Sequence, residues 1–137
     1  MSIEQPTKFD IVMIIDDTEI DIFINSHMIA KNNFGRNIIE CPSGYEALRF
    51  LEDNQHNISQ LPNIIFIDIY MPMMSGFEFM AEYDKLAPEL KNHCKVYVIS
   101  STYNERDISR ILLDANVVGF QEKPITSTFL ENILVNV

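Results

Sequence analysis

Ile11-Val12-Met13-Ile14-Ile15-Asp16-Asp17 joins five consecutive apolar residues to two adjacent carboxylates. A run this short and this rich in branched side chains fits a strand buried on both faces, and it cannot span a bilayer. Four further apolar runs follow at similar intervals: Ile38-Ile39, Ile64-Ile65-Phe66-Ile67, Val96-Tyr97-Val98-Ile99 and Val117-Val118-Gly119-Phe120.

Between the runs lie segments with helical spacing. Ile20, Phe23, Ile24, His27 and Met28 form the first stripe. Ala47, Phe50 and Leu51 form the second, and Phe77, Met80 and Ala81 the third. Ile108, Ile111, Leu112 and Ala115 form the fourth, and Phe129, Leu130, Ile133 and Leu134 the last. Ser43 with Glu46, Ser75 with Glu78 and Thr128 with Glu131 read as capping boxes, and Thr18 with Asp21 and Asn104 with Asp107 as weaker variants. The order is a strand and a helix repeated five times. Each right-handed crossover between parallel strands carries a helix, so this alternation predicts an α/β protein with a five-stranded doubly wound parallel sheet and helices on both faces.

The residues that end each strand are informative. The first run stops at Asp16-Asp17, the third at Asp68, the fourth at Ser100-Ser101, and the fifth at Gln121-Glu122-Lys123-Pro124. In a parallel sheet these ends share one rim, where ligands of open α/β sheets bind. With strand order 2-1-3-4-5, Asp16, Asp17 and Asp68 face one crevice. Two unit charges about 4 Å apart repel by roughly 4 kcal/mol at an effective dielectric near 20. A proton or a cation must relieve that cost, and a small set of hard oxygen ligands favours Mg²⁺. Lys123 adds a point charge, and helix N-termini add partial positive charge. A carboxylate beside Mg²⁺ and an ammonium is equipped to attack a phosphoryl group, with Ser100 bonding an oxygen of the product phosphate.

The whole chain has 137 residues, 47% of them hydrophobic and 22% charged, which suits one soluble domain. Residues 1–8 read as a loose arm and 9–137 as the domain. A net charge of −10 argues against direct contact with nucleic acid or anionic lipid. Cys41 and Cys94 have no metal or redox spacing and read as small buried fillers. No signal-peptide core is present, so the expected location is the cytoplasm with reduced thiols. His27, His56 and His93 show no ligand spacing, and Met71, Met73 and Met74 read as cover for loop and core.

Four segments together resemble the receiver domain of bacterial two-component response regulators, of the stand-alone type. They are Ile14-Ile15-Asp16-Asp17, Asp68-Ile69-Tyr70-Met71-Pro72-Met73-Met74-Ser75-Gly76, Val98-Ile99-Ser100-Ser101 and Gly119-Phe120-Gln121-Glu122-Lys123-Pro124. The resemblance covers about Phe9 to Leu134. It implies a flavodoxin-like fold, and the strand order used above is the one known for that fold. It implies that Asp68 accepts the phosphate and that Asp17 binds Mg²⁺ directly, with Asp16 helping through water and the Tyr70 backbone carbonyl as a further ligand. Lys123 pairs with the phosphate, and the Lys123–Pro124 bond is cis. Ser100 is the switch hydroxyl and Phe120 the aromatic partner that follows it. The implied donor is a sensor histidine kinase or a histidine phosphotransfer protein. The implied output surface is the face of helix four, strand five and helix five, which contacts a downstream protein. The protein is then a signalling domain, not an enzyme in the ordinary sense, that catalyses its own phosphoryl transfer and dephosphorylation.

Four departures from the family pattern stand out. Ser75 replaces an Asp often found before Gly76. The loop from Ser101 to Glu105 is about one residue longer than in the chemotaxis protein. Tyr70 and Thr102 hold positions that tune phosphate lifetime, and Phe120 lacks a hydroxyl. The alternative functions are a phosphorylation-independent pseudo-receiver, an aspartate-nucleophile phosphohydrolase, and a flavin carrier of the same architecture. The hydrolase wants an acid at position 70, where Tyr70 stands, and an acidic first turn repels a flavin phosphate. The expected output is a protein contact or onward phosphate transfer, with no output domain expected after the last helix.

Overall fold

Side-chain alternation along β1 (Phe9–Ile15) divides the interior in two. Met13 and Ile15 point into one core, and Val12 and Ile14 into the other. The computed structural model describes residues 6–101 and 104–135. The strands β1, β2 (Gly35–Cys41), β3 (Ile64–Asp68), β4 (Lys95–Ser100) and β5 (Val117–Glu122) form one parallel sheet in the order β2-β1-β3-β4-β5. This is the flavodoxin-like arrangement. All five residues of β3 are buried, as a central strand covered on both faces requires.

Helices α1 (Glu19–Lys31) and α6 (Ser127–Asn132) cover one face through Ile29 and Leu130. On that side Phe66 packs against the rings of Phe34 and Phe129, with centroids 5.9 and 5.8 Å away. Helices α2 (Gly44–Asp53), α3 (Gly76–Tyr83), α4 (Pro88–His93) and α5 (Glu105–Ile111) cover the other face. Helix α4 is one more than the five expected. Its six residues are too few for apolar periodicity, and Pro88 opens it at a position where the missing N–H costs nothing. The fourth and fifth helices expected from the sequence are therefore α5 and α6.

The stripe assigned to α1 faces outward. Ile20, Phe23 and Ile24 are 64%, 72% and 40% exposed, and His27 is exposed too. The inward face carries Ile22, Asn25, Met28 and Ile29. Asn25 disguised that face, because a buried amide breaks the apolar pattern. Its Oδ1 accepts the Ile125 backbone N–H at 3.0 Å and so replaces the water it lost. Smaller corrections follow the same logic. Ala81 is exposed while Phe79 and Tyr83 are buried. Leu112, Ala115 and Leu134 are exposed, the first two beyond the end of α5 and the last beyond the end of α6.

Capping is confirmed in full at Ser75, where side chain and Glu78 bond reciprocally. Ser43 and Asn104 accept from first-turn backbone N–H groups. Thr18 makes no side-chain cap, and α6 is capped by Thr126 rather than Thr128. Met71 and Met74 are buried, whereas Met73 is 85% exposed in a left-handed turn with φ 69°. Lys8, at the inner end of the expected arm, bonds the Leu130 carbonyl at 3.1 Å.

Cys41 and Cys94 are buried and free. Burial pushes both thiols from 9.0 up to about 12. A thiol raised in the folded state contributes stability that is full below its ordinary value and lost as pH climbs through the raised one. The urea midpoint is therefore expected to fall between pH 9.0 and about 12. A Cys41→Ala, Cys94→Ala double variant should show a shallower fall in the same titration, and an identical slope would clear the thiols of the effect.

Candidate functional site

Parallel pairing carries four strand ends to one rim. Ile15 lies beside Ile67, so Asp16 and Asp68 emerge next to each other. Ser100 pairs with Glu122, which puts Lys123 just past the ends of β4 and β5. The Lys123 backbone N–H donates to the Ser100 carbonyl at 2.9 Å, and the Lys123–Pro124 bond is cis.

The Lys123 side chain is 6% exposed. Its Nζ lies 2.6 Å from Asp16 Oδ2, 2.9 Å from Asp21 Oδ2 and 2.9 Å from Asp68 Oδ2. Burial alone would lower this ammonium, but its bonds to Asp16, Asp68 and Asp21 outweigh burial and raise it. The lysine therefore stays charged across the physiological range. The other oxygen of Asp68 accepts the Tyr70 backbone N–H at 3.0 Å.

Asp16 is wholly buried. Desolvation raises its carboxyl, although Lys123 and the Thr18 N–H pull the other way. Oδ1 accepts that N–H at 3.0 Å. Oδ2 meets Lys123 as a close ion pair without hydrogen-bond alignment. Asp17 is exposed at the mouth.

One carboxylate oxygen from each of Asp16, Asp17 and Asp68 lies within 4.8 Å of the others. Four carboxylates, counting Asp21, thus face one ammonium. Repulsion between the buried pair is about 3–4 kcal/mol at an effective dielectric of about 20. Lys123 cannot neutralise them all. Hard oxygen donors at this spacing, with Asp16 Oδ2 poorly satisfied, fit a small divalent cation such as Mg²⁺.

Ser100 is buried at the rim, and Phe120 is half-buried against the core that α2–α5 cover. Thr102 lies outside the described residues. Gly76 closes the loop after Asp68: a Cβ there would stand 2.8 Å from Ile69 Cα and 3.0 Å from the Asp68 carbonyl oxygen. The chain can fold back under Asp68 only if position 76 has no side chain.

The sequence reading missed Asp21 and the Tyr70 phenol. Asp21 reads as the partner of Thr18 in a cap, yet its carboxylate accepts from Lys123 instead. Its place in the first turn of α1, just beyond Asp16-Asp17, is the available signal. The Tyr70 hydroxyl donates to Asp107 on α5, a pairing across 37 positions that spacing does not reveal.

A response regulator receiver domain model matches residues 12–135. The two-component response regulator ORR12 of Oryza sativa subsp. japonica is 32% identical over 123 residues, which cover 90% of this chain and 93% of that protein. The autoinducer 1 sensor kinase/phosphatase LuxN of Vibrio harveyi is 27% identical over 127 residues, covering 91% of this chain and 13% of LuxN. A two component response regulator from Cytophaga hutchinsonii has a solved structure with a TM-score of 0.84 and 30% identity, over 91% of this chain and 93% of that one. Sequence and backbone agree along nearly the full length, and the chain belongs to the response regulator receiver domain family of two-component systems.

Proposed function

We propose that Asp68 accepts a phosphoryl group from a phosphohistidine of a sensor histidine kinase or a histidine phosphotransfer protein. The observation that carries this reading is the meeting of Lys123 with the carboxylates of Asp16, Asp21 and Asp68 beside exposed Asp17. An Asp68 carboxylate oxygen forms the new bond to phosphorus, and the bond from phosphorus to the donor imidazole nitrogen breaks. Lys123 lies within hydrogen-bond reach of Asp68 and offsets the charge of the arriving oxygens. The Tyr70 N–H holds the second Asp68 oxygen and fixes the carboxylate plane. Asp16, Asp17 and Asp68, with the Tyr70 carbonyl, are the residues that would hold Mg²⁺, which when bound neutralises charge on the transferring group. Ser100 is buried at the rim, where its hydroxyl would bond an oxygen of the product phosphate. The same site catalyses hydrolysis of its own acyl phosphate, and the setting is the cytoplasm.

A donor must cover the rim to reach Asp68, which is 5% exposed. Ile20, Phe23 and Ile24 are exposed on adjacent turns of α1, and Ile24 lines one shallow cleft with Asp21, Lys123 and Pro124. These apolar side chains are our candidate donor surface. Leu112, Leu113 and Val118, all exposed, mark the α5–β5–α6 side as the downstream contact. With a net charge of −10, direct contact with nucleic acid is not part of this reading.

The test is labelling with acetyl phosphate and Mg²⁺. Wild type should gain an acid-stable, base-labile phosphoryl group, and Asp68→Asn should gain none. Equal labelling of the two would remove Asp68 as acceptor. Phe23→Asp should label normally from acetyl phosphate but about tenfold more slowly from a phosphohistidine protein. Unchanged transfer from the protein donor would move docking off α1.

A further inference from the structure

We propose that Tyr70 is a positioning residue that ties the state of Asp68 to helix α5, and that phosphorylation opens this tie. The inference rests on the phospho-acceptor reading above and adds how the charge change reaches a helix.

Tyr70 touches both parties. Its backbone N–H donates to Asp68 Oδ1 at 3.0 Å, and its phenol donates to the Asp107 carboxylate in the first turn of α5. One turn further along α5, the Arg110 guanidinium stacks over the Phe77 ring, 3.9 Å from its centroid. Phe77 is the second residue of α3, just past the loop that follows Asp68. The segment after the nucleophile thus grips α5 at two points, one polar and one cation–π.

Helix α5 has seven residues, and only Ile108 and Ile111 are buried. A helix so short is not stable alone, so its position depends on its contacts. The two grips are among them.

A phosphoryl group on Asp68 acts on the polar grip in two ways. It replaces the single charge of the Asp68 carboxylate with about two on the phosphoryl group, a net gain of about one negative charge beside Tyr70, and it brings oxygens that compete for the single phenol proton. Both effects weaken the bond between Tyr70 and Asp107 and free α5. By linkage, a partner that prefers α5 released favours the phosphorylated state equally.

Hydrogen exchange of the α5 amides, read by mass spectrometry on the full chain with and without acetyl phosphate and Mg²⁺, tests this. Unphosphorylated Tyr70→Phe and phosphorylated wild type should both exchange about three- to tenfold faster than unphosphorylated wild type. Phosphorylated Tyr70→Phe should show no further gain. Asp107→Asn should match Tyr70→Phe, and the double variant should match either single, since one shared contact is lost. Tyr70→Phe exchanging like wild type, or phosphorylation speeding both by the same factor, would overturn the coupling alone. The intact mass of the same samples reports phosphorylation. A wild type that gains no phosphoryl mass overturns the acceptor reading and the coupling with it.

Discussion

Lys123→Met is expected to lower stability by about 3 kcal/mol at pH 7 in metal-free buffer and to slow acetyl phosphate labelling about 100-fold. Methionine keeps most of the buried stem and removes the charge. Asp16 and Asp68, at 0% and 5% exposed, then lose their cation. Breaking a buried pair costs more than the pair itself contributes, because the remaining carboxylates stay desolvated. The direction with pH follows from the raised ammonium. A lysine raised in the folded state stabilises fully below its ordinary 10.5 and loses that contribution only as pH rises through a still higher value. The contribution is therefore present at pH 7, and the substitution removes it there. Toward pH 4 the raised Asp16 carboxyl takes up a proton and the deficit should shrink. Urea unfolding at the two pH values, with equal slopes, measures the difference. Equal midpoints for variant and wild type at pH 7 would mean that the ammonium supports nothing, and an unchanged labelling rate would remove it from the reaction.

Asp16→Asn moves stability the opposite way, toward a gain at pH 7 without metal. Desolvation raises this carboxyl despite its neighbours. A carboxyl raised in the folded state contributes stability that is full below its ordinary 3.8 and gone once pH exceeds the raised value. At pH 7 wild type therefore carries a buried charge that the fold disfavours. Asparagine keeps the shape and the acceptor for the Thr18 N–H while deleting that charge. The gain is bought with binding, because one oxygen donor of the cation cluster is weakened. Excess Mg²⁺ should raise the melting temperature of wild type by more than that of the variant. An Asp16→Asn protein less stable than wild type in chelator, or one with an undiminished Mg²⁺ response, would contradict this account. Strain of this kind is what a binding site retains when its function needs the charge.

Lys123 and Asp16 also mark how far sequence reading reaches. Strand ends are written locally: an apolar run stops where polar residues begin, so Asp16, Asp68, Ser100 and Lys123 were legible one at a time. Their meeting was legible only through strand order, and the order came from a family resemblance rather than from spacing. Asp21 escaped because a carboxylate in a first helical turn has an ordinary use as a cap. Helix α4 escaped because six residues are shorter than two turns.

Helix α1 shows the division most clearly. Its sequence determined that a helix forms, since two apolar rows run along it. Which row turns inward depended on a contact between elements, the Asn25 amide capturing the Ile125 N–H, and it left Ile20, Phe23 and Ile24 outside. The sequence alone determined the alternation of strands and helices and the acidic strand ends, because local periodicity and solvation act on neighbouring residues. Tertiary structure alone decided that Lys123 bridges three carboxylates and that Tyr70 reaches Asp107, because those pairs exist only once packing has folded distant segments onto one rim.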